Sequence, residues 1–138
     1  MSVFIDTAPF IYLVEDVPSR SDLVDAQIQK WIDADQDLVT SCVTLMELLV
    51  QPNRNRDRRL ENQYRLYVER LLAFPPLPID ERIAEKAAEI RAIYGFKAPD
   101  ALQLAAAISV GADVFYTNDK QLQQFDGLDV LLVDESVE

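Results

Sequence analysis

Val3-Phe4-Ile5-Asp6-Thr7 is the stretch that decides how this chain reads. Three consecutive apolar residues suit a strand buried on both faces, and the run ends on a carboxylate. Burying a charge is costly, so an acid that closes the first buried strand of an α/β protein points to a site at that strand end. Outward from this strand, read over residues 2–6, helices and strands alternate. Pro9 suits the first turn of a helix running to about Glu15. Pro18-Ser19 breaks the chain, and a second helix covers about 21–34, with Leu23, Ala26, Ile28, Trp31 and Ile32 on its apolar face. A short strand follows at Leu38-Val39-Thr40, then a helix over about 42–51 that Gln51-Pro52-Asn53 should stop.

An arginine-rich segment opens a fourth helix over about 56–73, and Phe74-Pro75-Pro76-Leu77-Pro78 reads as an extended crossing. Asp80 is placed to cap a helix over 81–94 that Gly95 ends. A helix headed by Pro99 runs to about 110. Strands at 114–117 and 130–133 flank a short helix near 119–125. Helix-length connections between short strands imply an α/β sandwich around a mainly parallel sheet. Residues 1–138 contain no repeat and no low-complexity linker, so one domain is expected.

Composition narrows the chemistry. Hydrophobic residues make up 49% of the 138, which suits a globular chain. No signal peptide and no membrane span is read: the longest uncharged stretch, Ala101 to Ala112, falls short of the roughly 18 residues a span needs. A cytoplasmic protein is the expectation. The single cysteine, Cys42, excludes an internal disulfide and a thiolate metal cage. The absence of histidine excludes a Ser-His-Asp triad, a Cys-His pair and an imidazole zinc site. A metal held only by carboxylate oxygens would be a hard ion, magnesium or manganese before zinc.

The net charge of −11 argues by itself against a nucleic-acid partner. The charge is unevenly spread. Residues 53–70 carry Arg54, Arg56, Arg58, Arg59, Arg65 and Arg70 against Asp57, Glu61 and Glu69, a net +3 that leaves −14 for the rest. This segment reads first as a solvated helix with pairs such as Arg58–Glu61 and Arg65–Glu69, and second as a face for a substrate or partner.

Four acids stand out by position: Asp6, Glu47, Asp100 and Asp119. Each has an ordinary reading alone, as a solvated helix residue or a helix-start charge. Together they fit one rim. Asp6 and Asp119 follow strands whose carboxyl ends would coincide if the strands are parallel neighbours. Thr40, Thr44, Glu47 and Gln51 recur every three or four residues and form a polar stripe on a helix otherwise covered by Val43, Leu45, Met46, Leu48, Leu49 and Val50. A helix this apolar should be largely buried, so its stripe would face solvent or a polar site. Asp100 lies in the first turn of its helix, where the dipole favours a carboxylate. Two carboxylates about 4 Å apart repel by roughly 4 kcal/mol at an effective dielectric of 20, and a divalent ion is the simplest remedy. Such an ion lowers the pKa of bound water and polarises a phosphoryl oxygen, which is phosphodiester-hydrolysis chemistry.

The phrases Phe4-Ile5-Asp6-Thr7 with Ile11-Tyr12-Leu13, Thr40-Ser41 through Thr44 to Glu47-Leu48, Lys97-Ala98-Pro99-Asp100-Ala101, and Thr117-Asn118-Asp119 follow one another in an order that resembles the PIN-domain ribonucleases of the VapC toxin type. The resemblance spans nearly the whole chain. It implies a PIN-like three-layer α/β/α sandwich and a magnesium- or manganese-dependent endoribonuclease in which water attack leaves a 5′-phosphate. It makes Asp6, Glu47, Asp100 and Asp119 the catalytic, metal-binding quartet. Thr7 and Thr117 become supporting hydroxyls, Lys97 a contact to the scissile phosphate, and Asn118 a secondary ligand or substrate contact. Arg54, Arg56, Arg58 and Arg59 are the candidates for RNA binding. Ala8 departs from the polar residue often found two after the first acid, which removes a side-chain ligand there. An antitoxin protein and a second copy of the chain are the implied partners. Two other readings are open: a catalytically inactive PIN-fold interaction module, and an aspartate-nucleophile phosphatase, which Ala8 disfavours because such enzymes usually carry a D-x-D pair.

Overall fold

Parallel pairing at the centre of the sheet sets the architecture. In the computed structural model, which describes residues 1–136, β1 (Ser2–Ile5) lies between β2 (Asp37–Val39) and β3 (Val114–Thr117), and β4 (Asp129–Leu132) forms the far edge, giving the order β2-β1-β3-β4. All three pairings are parallel, with Phe4 opposite both Val39 and Phe115 and Ile5 opposite Tyr116. Successive strand residues face opposite sides, so two cores form. Phe4, Val39 and Phe115 pack with Ile83, Ala87, Ile90 and Leu104 from helices α5 (Glu81–Tyr94) and α6 (Ala98–Ser109). Phe4 and Phe115 stack with centroids 5.3 Å apart. Val3, Ile5, Leu38 and Tyr116 pack on the other side with Phe10, Val24, Ile28, Trp31, Leu48, Tyr64 and Val68. Those residues come from α1 (Thr7–Val14), α2 (Arg20–Asp33), α3 (Cys42–Arg54) and α4 (Arg58–Leu71). The result is a three-layer α/β/α sandwich whose sheet is wholly rather than mainly parallel.

Local chemistry sets the element ends. α1 begins at Thr7, where the Asp6 carboxylate caps it by accepting from the Thr7 N–H at 2.8 Å. Pro9 then falls in the first turn, where no N–H is needed. Asp80 caps α5 by accepting from the Ile83 N–H at 2.9 Å, and Gly95 closes that helix in the left-handed conformation, φ 75°. Removing this cap with Asp80→Ala is expected to cost about 1 kcal/mol, read as a lower urea midpoint at unchanged slope.

The break between the third and fourth helices falls later than Gln51-Pro52-Asn53. α3 runs past Pro52 to Arg54. A proline this near the helix end forfeits one late hydrogen bond, and the Asn53 side chain donates to the Leu49 carbonyl at 2.7 Å. Arg56, with φ 51°, turns the corner, and Asp57 caps α4 through the Leu60 N–H at 3.0 Å. The four arginines 54, 56, 58 and 59 therefore line an exposed corner between two helices. α3 is also less buried than its composition suggested: Met46 and Val50 are 53% and 37% exposed.

The expected crossing after α4 is present and has a use. Leu77 bridges β2's continuation, donating its N–H to the Thr40 carbonyl and accepting from the Cys42 N–H, both at 2.9 Å. It covers that sheet edge and fixes Thr40 and Ser41 in place.

Candidate functional site

Asp6 sits at the carboxyl end of β1, nearly buried, at 9% exposure. Its neighbour across the rim is Thr117, the last residue of β3. Asp6 Oδ1 accepts from the Thr7 N–H at 2.8 Å and from Gln103 Nε2 at 3.2 Å, while Oδ2 accepts from the Thr117 hydroxyl at 2.7 Å. Burial pushes the Asp6 carboxyl up from its ordinary range, and the Thr117, Thr7 and Gln103 donors pull it back.

Glu47, half-buried on α3, is held from α1: the Thr7 hydroxyl donates to its Oε1 at 2.7 Å. Asp100 occupies the first turn of α6 and is half-buried. Burial, with the charges of Asp6, Asp119 and Glu47, raises its pKa to about 6, and exposed Lys97, at the head of the same helix, opposes this. Asp6, Glu47 and Asp119 each lie within electrostatic reach of Asp100. Asp119 caps the 3-10 turn Lys120–Gln124, accepting from the Gln121 N–H at 3.0 Å, and its own N–H donates to the Thr117 hydroxyl at 3.2 Å.

Asn118 stands apart from this cluster. Its Nδ2 donates to the Tyr12 hydroxyl at 3.1 Å, and its Oδ1 accepts from the Asp134 N–H at 3.3 Å. Both ends of the amide are thus engaged in tying α1 to the turn at Asp134. The pairs Arg58–Glu61 and Arg65–Glu69 are not formed as ion pairs within 4.0 Å; among the described residues the ion pairs are Arg20–Asp134 and Lys86–Glu89. The exposed arginines of the α3–α4 corner therefore keep their charge for solvent or a ligand.

Gln103 went unread as a site residue. It is 1% exposed, and its amide reaches Asp6, Thr44 and Ser41. The signal available was one amide among Ala101, Leu104, Ala105, Ala106 and Ala107, on a helix facing the Thr40–Thr44 stripe.

The donor set fits a hard divalent cation. It offers four carboxylates and no thiolate or imidazole, and neither ion pair of the described residues involves any of the four. Among the described residues no three acidic side chains converge as a finished ion cage.

A family model for the PIN domain matches residues 3–128. The chain belongs to the PIN-domain family. Solved structures share the fold. The VapBC2 complex from Rickettsia felis, bound to a DNA fragment from its promoter, superposes with a TM-score of 0.80 at 14% identity, covering 96% of this chain and 98% of that one. FitAcB from Neisseria gonorrhoeae gives 0.69 at 23%, covering 94% and 96%. VapC20 from Mycobacterium tuberculosis, a Sarcin-Ricin loop cleaving toxin, gives 0.69 at 19%, covering 88% and 93%. No curated protein matches this PIN domain significantly by sequence. No helix among its described residues is long and apolar enough to cross a membrane.

Proposed function

We propose that this PIN domain is a magnesium- or manganese-dependent endoribonuclease and the toxin of a toxin–antitoxin pair. The observation that carries the reading is the hydrogen-bonded linkage of the acids: Thr7 joins Asp6 to Glu47, Thr117 joins Asp6 to the Asp119 backbone, and Asp100 lies within electrostatic reach of all three. Asp6, Glu47, Asp100 and Asp119 would hold the ion, which when bound lowers the pKa of water and polarises the phosphate. The chain's own residues prepare the ligands. Thr7 orients Glu47, while Thr117, Gln103 and the Thr7 N–H orient Asp6, which limits the freedom each carboxylate would lose on holding an ion. Lys97, exposed beside Asp100, is a cation free to meet a phosphate.

The α3–α4 arginines extend the same reading. Exposed and outside the ion pairs of the described residues, they supply the local positive charge that an acidic chain needs to hold RNA. VapC20, of the same fold, is a Sarcin-Ricin loop cleaving toxin, which supports RNA as the substrate class. The VapBC complexes of that fold support an antitoxin as partner, and the remaining net −14 favours a basic segment on it. A second copy of the chain completes the expected assembly.

Cleavage of structured RNA by purified protein with Mn2+ tests this reading. Glu47→Gln is expected to lower the rate by at least about tenfold, near 1.4 kcal/mol of barrier. Arg54, Arg56, Arg58 and Arg59 all changed to Ser should weaken cleavage and flatten its salt dependence. Wild type that cleaves nothing would leave an interaction module. An intact salt slope in the fourfold variant would remove the arginines from the RNA path.

A further inference from the structure

We propose that Gln103 is the positioning residue of the site: it occupies Asp6 Oδ1 and leaves a single lone pair, on Oδ2, for a cation. The proposal rests on the metal-site reading above and deepens it by assigning Gln103 the choice of oxygen. An ionised carboxylate offers about four lone-pair sites. Oδ1 spends both of its own, on the Thr7 N–H and on Gln103 Nε2. Oδ2 spends one, on the Thr117 hydroxyl. Asp6 would therefore bind an ion through one oxygen only, and Gln103 decides which.

The amide can do this because its orientation is fixed from behind. Thr40 has one hydroxyl proton, and the Ile5 carbonyl, 2.7 Å away, can only accept. In the 2.8 Å contact between Thr40 and Thr44 the proton is therefore Thr44's. The Thr44 oxygen then accepts from Gln103 Nε2 at 2.5 Å. On the amide's other side, Ser41 donates to Oε1 at 2.5 Å while accepting from the Val43 N–H at 3.1 Å. Every donor is used in one sense. Turning the amide over would set its oxygen against the Asp6 carboxylate and its nitrogen against the Ser41 donor. All of these groups, Thr40, Ser41, Thr44 and Gln103, are at most 1% exposed, so water cannot substitute for a lost partner.

Mn2+ alone is the probe, titrated by calorimetry into the full chain, with thermal melts in chelator alongside. Gln103→Leu is expected to weaken Mn2+ binding about tenfold. Gln103→His, which keeps an N–H donor at similar reach, should bind within about threefold of wild type. Asp80→Ala, which loses stability far from the site, should bind as wild type does. Ser41→Ala removes the donor that holds the amide oxygen and should give an intermediate loss; it carries the test if Gln103→Leu does not fold. Equal affinity in wild type and Gln103→Leu overturns the proposal while leaving the metal site standing. So does a Gln103→His no better than Gln103→Leu. Wild type that takes up no Mn2+ overturns the metal-site reading, and this inference with it.

Discussion

Asp6→Asn is expected to lower RNA cleavage at least about 100-fold, some 2.7 kcal/mol of barrier, and to raise the melting temperature of the metal-free protein. The two effects share one cause. Asp6 is nearly buried, and burial is the largest influence lifting its pKa; Glu47 adds to it. The ionised form is therefore held at a cost that three donors offset only in part. The amide keeps the shape. Its oxygen can accept from Thr7 and Gln103 while its nitrogen faces the Thr117 hydroxyl, which can turn to accept. What is lost is the charge, hence the hold on an ion. Thermal melts in chelator and single-turnover cleavage with Mn2+ measure the two sides. An Asp6→Asn protein that melts lower and still cleaves would place the active carboxylate elsewhere.

The second large effect is the response to metal and pH together. At pH 7.5, Mn2+ at 100 times its dissociation constant should stabilise the native state by about 2.7 kcal/mol, near 8–10 °C of melting temperature for a chain of this size. Asp100 gives this response a pH signature. Its folded pKa of about 6 lies above the ordinary 3.8, so between about pH 4 and 6 the folded state holds a proton that the unfolded chain lacks. The stability from this group is present at low pH and lost as pH rises through 6. The metal-free protein should therefore gain stability from this group between pH 7 and 5. The Mn2+ increment should shrink over the same interval, because proton and ion compete for the same carboxylate. Asp100→Asn should flatten the pH dependence. A Mn2+ increment constant from pH 7.5 to 5 would exclude Asp100 from the site.

What could be read from the sequence was local. α5 and β3 fall at 81–94 and 114–117 as expected, because an Asp cap, a closing glycine and a bounded apolar run are short-range signals. The same holds for Asp6 at a strand end and for Glu47 on a polar stripe. The α3–α4 corner was misjudged because Pro52 acts on one late hydrogen bond, and the Asn53 bond to Leu49 lets the helix pass it. Gln103 was missed for a different reason. Its partners Ser41 and Asp6 lie 62 and 97 positions away, and no periodicity in a helix records a hydrogen bond of that span. Asn118 illustrates the same point. Its place beside Asp119 records nothing of the hydrogen bond its amide makes to Tyr12, 106 positions away.

The strand order has a consequence for synthesis. β1 is made well before β3, yet the two are neighbours in the sheet, with Val3 opposite Val114. Pairing across such separations is slow to form, and it cannot begin before both strands exist. A growing chain that has left the ribosome short of Thr117 carries Asp6 without the hydroxyl that orients it, and one short of Gln103 lacks the amide as well. The carboxylate that closes the first strand is thus oriented only after synthesis has advanced 111 positions beyond it, to Thr117.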